Sequence, residues 1–177
     1  MSVAASRYAK ALIDVLYPQK AQAGLEQLQR FSAVLTQQPE VRRVFENPTI
    51  STERRKTLLK DIADGFGFDA AVRNFLNLLI ERNRVDLVGE ITDLYQRRLD
   101  EKMGIVRARV ISAQPLGADE QREVAAKLQS ATGKVVRMEL STDPALIGGV
   151  VAEVGSTIYD GSIRQRLQTF KKSLTTD

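Results

Sequence analysis

The sequence contains no histidine, no cysteine and no tryptophan. Without the first two, the chain cannot form a disulfide, a thiolate nucleophile, a Cys/His metal site or an imidazole general base. It has no apolar run near the roughly 20 residues that span a bilayer, and its N-terminus has no apolar signal core. We therefore expect a protein that is used in the compartment where it is made, with no metal and no cofactor.

Most of the chain has no local concentration of basic or of acidic residues. The 26 basic residues exceed the 22 acidic ones, and the small excess is shared equally by the parts before and after Gly104. A nucleic-acid-binding protein usually gathers basic charge on one element. The local exception is segment 162–174, which has four basic residues and no acidic one: Arg164, Arg166, Lys171 and Lys172. Exposure to water is the commonest explanation of such a basic face.

Residues 1–104 are predicted to form six helices joined by short loops. Apolar residues recur at helical spacing in six successive segments, and prolines or glycines separate most of them. Ser51, Asp69 and Asp86 each stand where an N-cap residue is expected. Short loops between amphipathic helices favour an antiparallel bundle, so this part is interpreted as an N-terminal helical domain.

Residues 105–177 show a different periodicity. Segments 105–113 and 135–142 alternate between apolar and polar residues, as strands do, and 149–159 is a third β-rich run. Asp119 is predicted to cap a helix between the first two strands, and Ser162 to cap a final one. The last helix carries its apolar residues at i, i+4, i+7 and i+11, namely Ile163, Leu167, Phe170 and Leu174. The order β-α-β-β-α predicts a small second domain, and the fold class is α+β.

The sequence shows no recognisable catalytic arrangement. The best phosphate-loop candidate, residues 132–134, fails because Val135 replaces the required Ser or Thr. The glycines at 148, 149 and 155 do not follow dinucleotide-binding spacing and lead into a strand. An enzyme would need a polar pocket that these patterns do not indicate, so we expect a non-catalytic protein.

The first and fifth predicted helices are apolar around an unusually large part of their circumference. The apolar arc covers roughly 240° in the first helix and roughly 200° in the fifth, against about 100° for an ordinary bundle helix. Either helix alone could be central to its domain, but two together favour a groove that accepts a third amphipathic helix. The expected outer strip contains nine residues: Ala4, Tyr8, Ala11, Leu12 (at its boundary) and Val15, opposite Ala71, Asn74, Phe75 and Leu78.

A resemblance to a known family rests on three motifs. Residues 142–155, TDPALIGGVVAEVG, lead into residues 158–164, IYDGSIR; near the N-terminus stands RYAKAL, and NRV follows the fifth helix. Together with the length and the order of elements, these resemble the delta subunit of F-type ATP synthase, the oligomycin-sensitivity-conferring subunit family. The signature residues are expected to be mainly structural: Gly148, Gly149, Gly155, Asp160, Gly161, Ser162 and Arg164.

The resemblance implies a non-catalytic stator subunit of a proton-translocating ATP synthase. In this family the helical domain docks the N-terminal helix of an α subunit between its first and fifth helices, and the second domain joins the b-type peripheral stalk. Tyr8 and Phe75 are the expected anchors for the α subunit, although each is also explained as an ordinary core aromatic. Ile163, Leu167 and Phe170 are the expected stalk contacts.

The resemblance also implies a peripheral membrane location and no binding of nucleic acid. The chain would associate with the membrane only through the complex, on the cytoplasmic face of a bacterial cell membrane or the stromal or cytosolic face of a thylakoid. An alternative that composition permits is a basic RNA-binding or ribosome-associated protein. Against it stand the even charge distribution and the lack of an aromatic-rich strand for base stacking.

Overall fold

The computed structural model of the protein describes residues 2–146, 148–155 and 157–161. The chain divides into two compact units, of which the first ends at Leu99 and the second begins at Asp100. Helices make up the first unit, and a four-stranded sheet with a helix makes up the described part of the second. The prediction of an α+β protein is confirmed.

The six helices predicted from apolar periodicity are present. They are α1 (Val3–Leu16), α2 (Ala21–Gln37), α3 (Pro39–Glu46), α4 (Thr52–Phe66), α5 (Ala70–Glu81) and α6 (Val88–Lys102). A short 3₁₀ turn, Val85–Leu87, precedes α6. Each of these helices brings apolar side chains into one continuous core, because no single amphipathic helix can bury its own apolar face.

Of the five predicted helix caps, two are confirmed, and one, Ser162, lies outside the described residues. The Ser51 hydroxyl accepts from the Arg54 amide at 3.4 Å, and an Asp69 carboxylate oxygen accepts from the Ala71 amide at 3.2 Å. The prediction for Asp86 is wrong, because this residue lies inside the 3₁₀ turn that leads into α6. The prediction for Asp119 is also wrong, because the helix of the second unit already begins one residue earlier.

The centre of the first unit is an aromatic and aliphatic core. Phe31 and Phe45 meet edge to face with ring centroids 5.6 Å apart, which joins α2 to α3. The Tyr95 hydroxyl donates to the Ala21 carbonyl oxygen at 3.0 Å, and burial raises the pKa of Tyr95 to about 12. A Cβ atom at Gly24 would overlap the Leu16 side chain, so glycine permits α1 and α2 to approach closely here.

The second unit contains a mixed sheet in the order β2-β1-β3-β4. Its described elements are β1 (Ile105–Ser112), α7 (Ala118–Thr132), β2 (Val135–Thr142), β3 (Val150–Val154) and β4 (Thr157–Asp160). β1 and β2 are parallel and connected through α7, whereas β1, β3 and β4 pair in antiparallel fashion. The β-rich run 149–159, expected as one strand, is a hairpin, and Gly155 adopts a φ of +62° in its turn. The final predicted helix lies outside the described residues.

Candidate helix-docking surface

Helices α1 and α5 lie side by side and run in opposite directions. The Lys20 ammonium, just beyond α1, pairs with the carboxylate of Asp69, the N-cap of α5, at 2.6 Å. Nearer the middle of both helices, Tyr8 meets Phe75 with ring centroids 6.2 Å apart and planes inclined at 74°. These two contacts bring the C-terminal end of α1 to the N-terminal end of α5.

The inner sides of both helices belong to the core. In α1 the buried residues are Ala5, Ala9, Leu12, Ile13 and Leu16; in α5 they are Val72, Phe75, Leu76, Leu79 and Ile80. The small side chains of Ala5 and Ala9 are fully buried, which permits close packing of α1 on its neighbours. Core packing therefore accounts for one part of each wide apolar arc.

The outer strip expected from the sequence divides into a floor and an exposed surface. Leu12 and Phe75 form the floor, since Phe75 is only 8 % exposed and Leu12 is also buried. Tyr8, Ala4 and Ala71 are half-buried, whereas Ala11, Val15, Asn74 and Leu78 are exposed. Val15 is 71 % and Leu78 is 38 % exposed, so both present aliphatic surface to solvent. The second part of each apolar arc therefore faces solvent in this chain.

Charged residues surround the strip but do not enter it. Hydrogen bonding to Lys20 is the main reason that the pKa of Asp69 lies below its ordinary value. Between α4 and α5, Lys56 pairs with Glu81 at 2.7 Å and Arg73 with Asp64 at 3.1 Å. An uncharged strip of this kind suits an apolar contact with another helix.

The signature residues of the second unit lie in turns and at strand ends where the structure describes them. After β2, an Asp143 carboxylate oxygen accepts from the Ala145 amide at 2.9 Å, which closes a turn. Gly148 and Gly149 follow this turn and lead into β3, and Gly155 connects β3 to β4. Asp160 ends β4, and Gly161 follows it. Two signature residues, Ser162 and Arg164, lie outside the described residues. The expected stalk contacts also lie outside them: Ile163, Leu167 and Phe170.

Sequence reasoning missed two features of the structure. The first is the buried Arg55 of α4, which stands four residues before Leu59 on the apolar stripe of that helix. A basic residue in register with such a stripe is the signal that could have identified it. The second is an apolar groove in the second unit, which Asp160 and Gly161 help to line. No local pattern indicates this groove, because it depends on how the strands pair.

Comparison with known proteins gives consistent results over the whole chain. The family model described as "ATP synthase delta (OSCP) subunit" matches residues 4–174. The protein named "ATP synthase subunit delta" in Anaeromyxobacter sp. (strain Fw109-5) is 37 % identical, and the match covers 98 % of each chain. The protein of the same name in Myxococcus xanthus (strain DK1622) is 38 % identical, with 96 % of this chain and 95 % of that one covered.

A solved structure shares the fold. A chain in the cryo-EM structure of the Toxoplasma gondii mitochondrial ATP synthase hexamer matches with a TM-score of 0.66 and 22 % identity. The match covers 100 % of this chain and 99 % of that one. With the family model and the sequence relatives, the result is plain: the chain belongs to the ATP synthase delta (OSCP) subunit family.

Family membership establishes the general class of function. A delta (OSCP) subunit is a structural subunit of ATP synthase and is not itself an enzyme, so the expectation of a non-catalytic chain is confirmed. ATP synthesis and proton transport are the activities of the complex to which it belongs. The described part of the chain contains no helix with both the length and the apolar character needed to cross a bilayer. The RNA-binding alternative is set aside, because the family model accounts for nearly the whole sequence.

Proposed function

We propose that this chain is the stator subunit that links the α/β catalytic head of an F-type ATP synthase to its b-type peripheral stalk. The stator holds the head still while proton-driven rotation of the central rotor is coupled to ATP synthesis. The proposed N-terminal helical domain, residues 1–104, docks the N-terminal helix of an α subunit. The proposed second domain, residues 105–177, joins the stalk.

The observation that carries the proposal is the exposed apolar strip along α1 and α5. A partner that removes exposed aliphatic side chains such as Val15 and Leu78 from water lowers the free energy of the bound state. The half-buried Tyr8 lies on the buried Phe75, so a partner helix would meet an aromatic surface that is already held in place. The exposed Ala11 leaves room for the partner backbone to approach.

A link that carries torque needs a slow dissociation rate more than a fast association rate. Burial of a pre-formed apolar surface mainly slows dissociation, whereas charge steering mainly accelerates encounter. The uncharged strip is the former kind of surface. Its rigid floor also avoids the free-energy cost of ordering loops when the partner binds.

The location follows from the same proposal. The chain associates with the membrane only through the complex, on the cytoplasmic face of a bacterial cell membrane or the stromal or cytosolic face of a thylakoid. The b-type stalk meets the second unit, and the segment after Gly161 takes part in that contact. Ile163, Leu167 and Phe170 belong to this segment, as do the basic residues Arg164 and Lys172.

The test is binding of a peptide that carries the α-subunit N-terminus of the same organism, measured by calorimetry with the full chain. Val15→Asp places a charge in the proposed contact, and we expect affinity to fall by at least about tenfold, or roughly 1.4 kcal/mol. Val15 is already well exposed in the free chain, so the fold tolerates the substitution.

The matched control is Val3→Asp in the same helix. Val3 is 77 % exposed, close to Val15, but helical geometry points it to a different side of α1. We expect wild-type affinity for this variant. Equal loss of affinity in both variants, or no loss in either, would remove the docking site from this strip.

A further inference from the structure

The start of α1 is capped by a residue of another helix. The Ser2 backbone amide donates to the Glu90 carboxylate at 2.6 Å, although the two residues are 88 positions apart in the sequence. Ser2 is the N-cap residue of α1, and within the described part of the chain its own side chain makes no capping hydrogen bond. The first turn of α1 also contains no acidic residue. The carboxylate that favours a helix N-terminus is therefore supplied here by α6.

A second bond from α6 holds the same turn of α1. The Arg98 Nη2 group donates to the Ser6 hydroxyl at 3.0 Å. Ser6 stands one turn after Ser2, and its backbone amide donates to the Ser2 carbonyl oxygen at 3.2 Å. This is the first hydrogen bond within the helix. Glu90 and Arg98 thus hold the first turn of α1 at both of its ends.

Both bonds lie on the side of α1 that faces away from the outer strip. At about 100° per residue, Ser6 points roughly 160° away from Tyr8, which is a member of the strip. Glu90 and Arg98 are half-buried on α6 and do not belong to the strip. Any influence of these two side chains on a helix that lies on the strip must therefore pass through α1 itself.

The first two turns of α1 carry two members of the strip. Ala4 and Tyr8 are half-buried, and Tyr8 meets Phe75 of α5 with ring centroids 6.2 Å apart. Helix ends fray because their terminal amides lack partners within the helix, and an N-cap limits this fraying. If the start of α1 frayed, a partner helix would have to reorder Ala4 and Tyr8 on binding, at a cost in affinity.

We propose that Glu90 is a positioning residue for the outer strip of α1 and α5. Its carboxylate caps α1 from α6 and keeps the first two turns helical, so Ala4 and Tyr8 are in place before the N-terminal helix of the α subunit binds. Arg98 supports the same turn through Ser6. The inference rests on the proposed function, because it assigns Glu90 a role in the contact with the α subunit.

The test compares Glu90→Ala with Asp93→Ala in the full-length chain. Asp93 is exposed three residues further along α6, so the control removes the same charge from the same helix. Without the cap, amide hydrogen exchange at Ser6, Arg7 and Tyr8 should accelerate roughly fivefold. Affinity for the α-subunit N-terminal peptide, measured by calorimetry, should fall roughly threefold, because fewer chains have the strip ready to bind. Asp93→Ala should match the wild-type chain in both measurements.

Two further variants separate positioning from other roles of Glu90. Glu90→Gln keeps an oxygen that can accept from the Ser2 amide, so it should lose less affinity than Glu90→Ala. Glu90 also lies in the first turn of α6, and its removal affects that helix as well. Ser2→Asp in the Glu90→Ala chain gives α1 a carboxylate cap of its own. This second change should restore most of the affinity and slow the exchange at Tyr8.

Three results would overturn the role of Glu90 in a chain whose wild-type form binds the peptide. Unchanged exchange at Ser6 and Tyr8 in Glu90→Ala would show that α6 does not cap α1. Faster exchange with unchanged affinity would show that the cap serves the fold alone. A loss of affinity that Ser2→Asp does not restore would assign the effect to α6 or to direct contact with the partner. Failure of the wild-type chain to bind the peptide would instead reject the proposed function, and this role with it.

Discussion

Arg55 donates from Nη1 to the Asn83 side-chain oxygen at 2.8 Å and to the Phe45 carbonyl oxygen at 3.3 Å. Arg55 is only 4 % exposed, and its guanidinium joins the start of α4 to the end of α3 and to the turn after α5. Asn83 adopts a φ of 50°, a left-handed conformation that asparagine tolerates better than most residues. One buried side chain therefore holds three consecutive elements together.

Replacement of Arg55 by methionine should destabilise the chain by roughly 1–3 kcal/mol, because charge-assisted hydrogen bonds are lost and the Phe45 carbonyl loses its donor. Urea denaturation followed by circular dichroism measures the change. Arg54→Met is the control, since Arg54 is exposed in the same turn. An Arg55→Met variant as stable as Arg54→Met would show that the bonds make no net contribution.

Periodicity predicts the helices well because each helix buries one continuous stripe. The stripe of α4 includes Leu59 and Ala63, and both are fully buried. The same rule misjudges Arg55, which stands on that stripe although it is charged. Its position on the stripe is a local signal of burial, but its acceptors, Phe45 and Asn83, are distant in sequence and no local pattern identifies them.

The outer strip of α1 and α5 shows the same division between local and tertiary information. Helical geometry predicts which side chains share a face of α1, and those of Ala11 and Val15 are exposed together. Geometry within one helix cannot say how deep a side chain lies between two helices. Phe75 belongs to the floor because Tyr8 covers its ring, and this contact exists only once α1 and α5 pack.

The ion pair between Lys20 and Asp69 should make stability depend on pH in the acid range. Because the pKa of Asp69 is lower in the folded chain than the ordinary 3.8, the carboxylate stabilises the fold above that value. The stabilisation is lost as the pH falls through the lower, native pKa. Asp69→Asn removes the charge but keeps a good N-cap residue, so it should weaken this acid dependence.

Urea denaturation at several pH values measures the Asp69 effect, and NMR titration gives the carboxyl pKa directly. Lys20→Met is the complementary variant, since it leaves the cap intact and should raise the pKa of Asp69 toward the ordinary value. An unchanged pKa in Lys20→Met would contradict the role of the ion pair.

A fragment of residues 1–104 should fold alone. It contains all of α1 to α6, and among the residues that the structure describes, none after Leu99 belongs to the core of these helices. We expect one cooperative thermal transition, retained affinity for the α-subunit peptide and no binding to the stalk subunits. A broad, non-cooperative transition would show that the first unit depends on the second for its stability.

Substitutions at Phe75 and Leu78 should distinguish a residue that stabilises the fold from a residue that serves the proposed contact. Phe75 is buried against Tyr8, so Phe75→Ala should cost about 3–5 kcal/mol of stability through loss of burial and creation of a cavity. Leu78 lies one turn further along α5 with its side chain partly in water, so Leu78→Ala should cost less than about 1 kcal/mol. Urea denaturation of both variants gives these values.

The same two variants should rank in the opposite order in their effect on α-peptide affinity, once the affinities are corrected for differences in stability. Leu78→Ala keeps the floor and removes only exposed apolar surface, so any loss of α-peptide affinity by this folded variant measures the contact itself. We expect its affinity to fall severalfold, and that of Leu78→Asp to fall further because a carboxylate would be buried without a partner. Wild-type affinity in a well-folded Leu78→Asp variant would place the α-subunit helix elsewhere on the first unit.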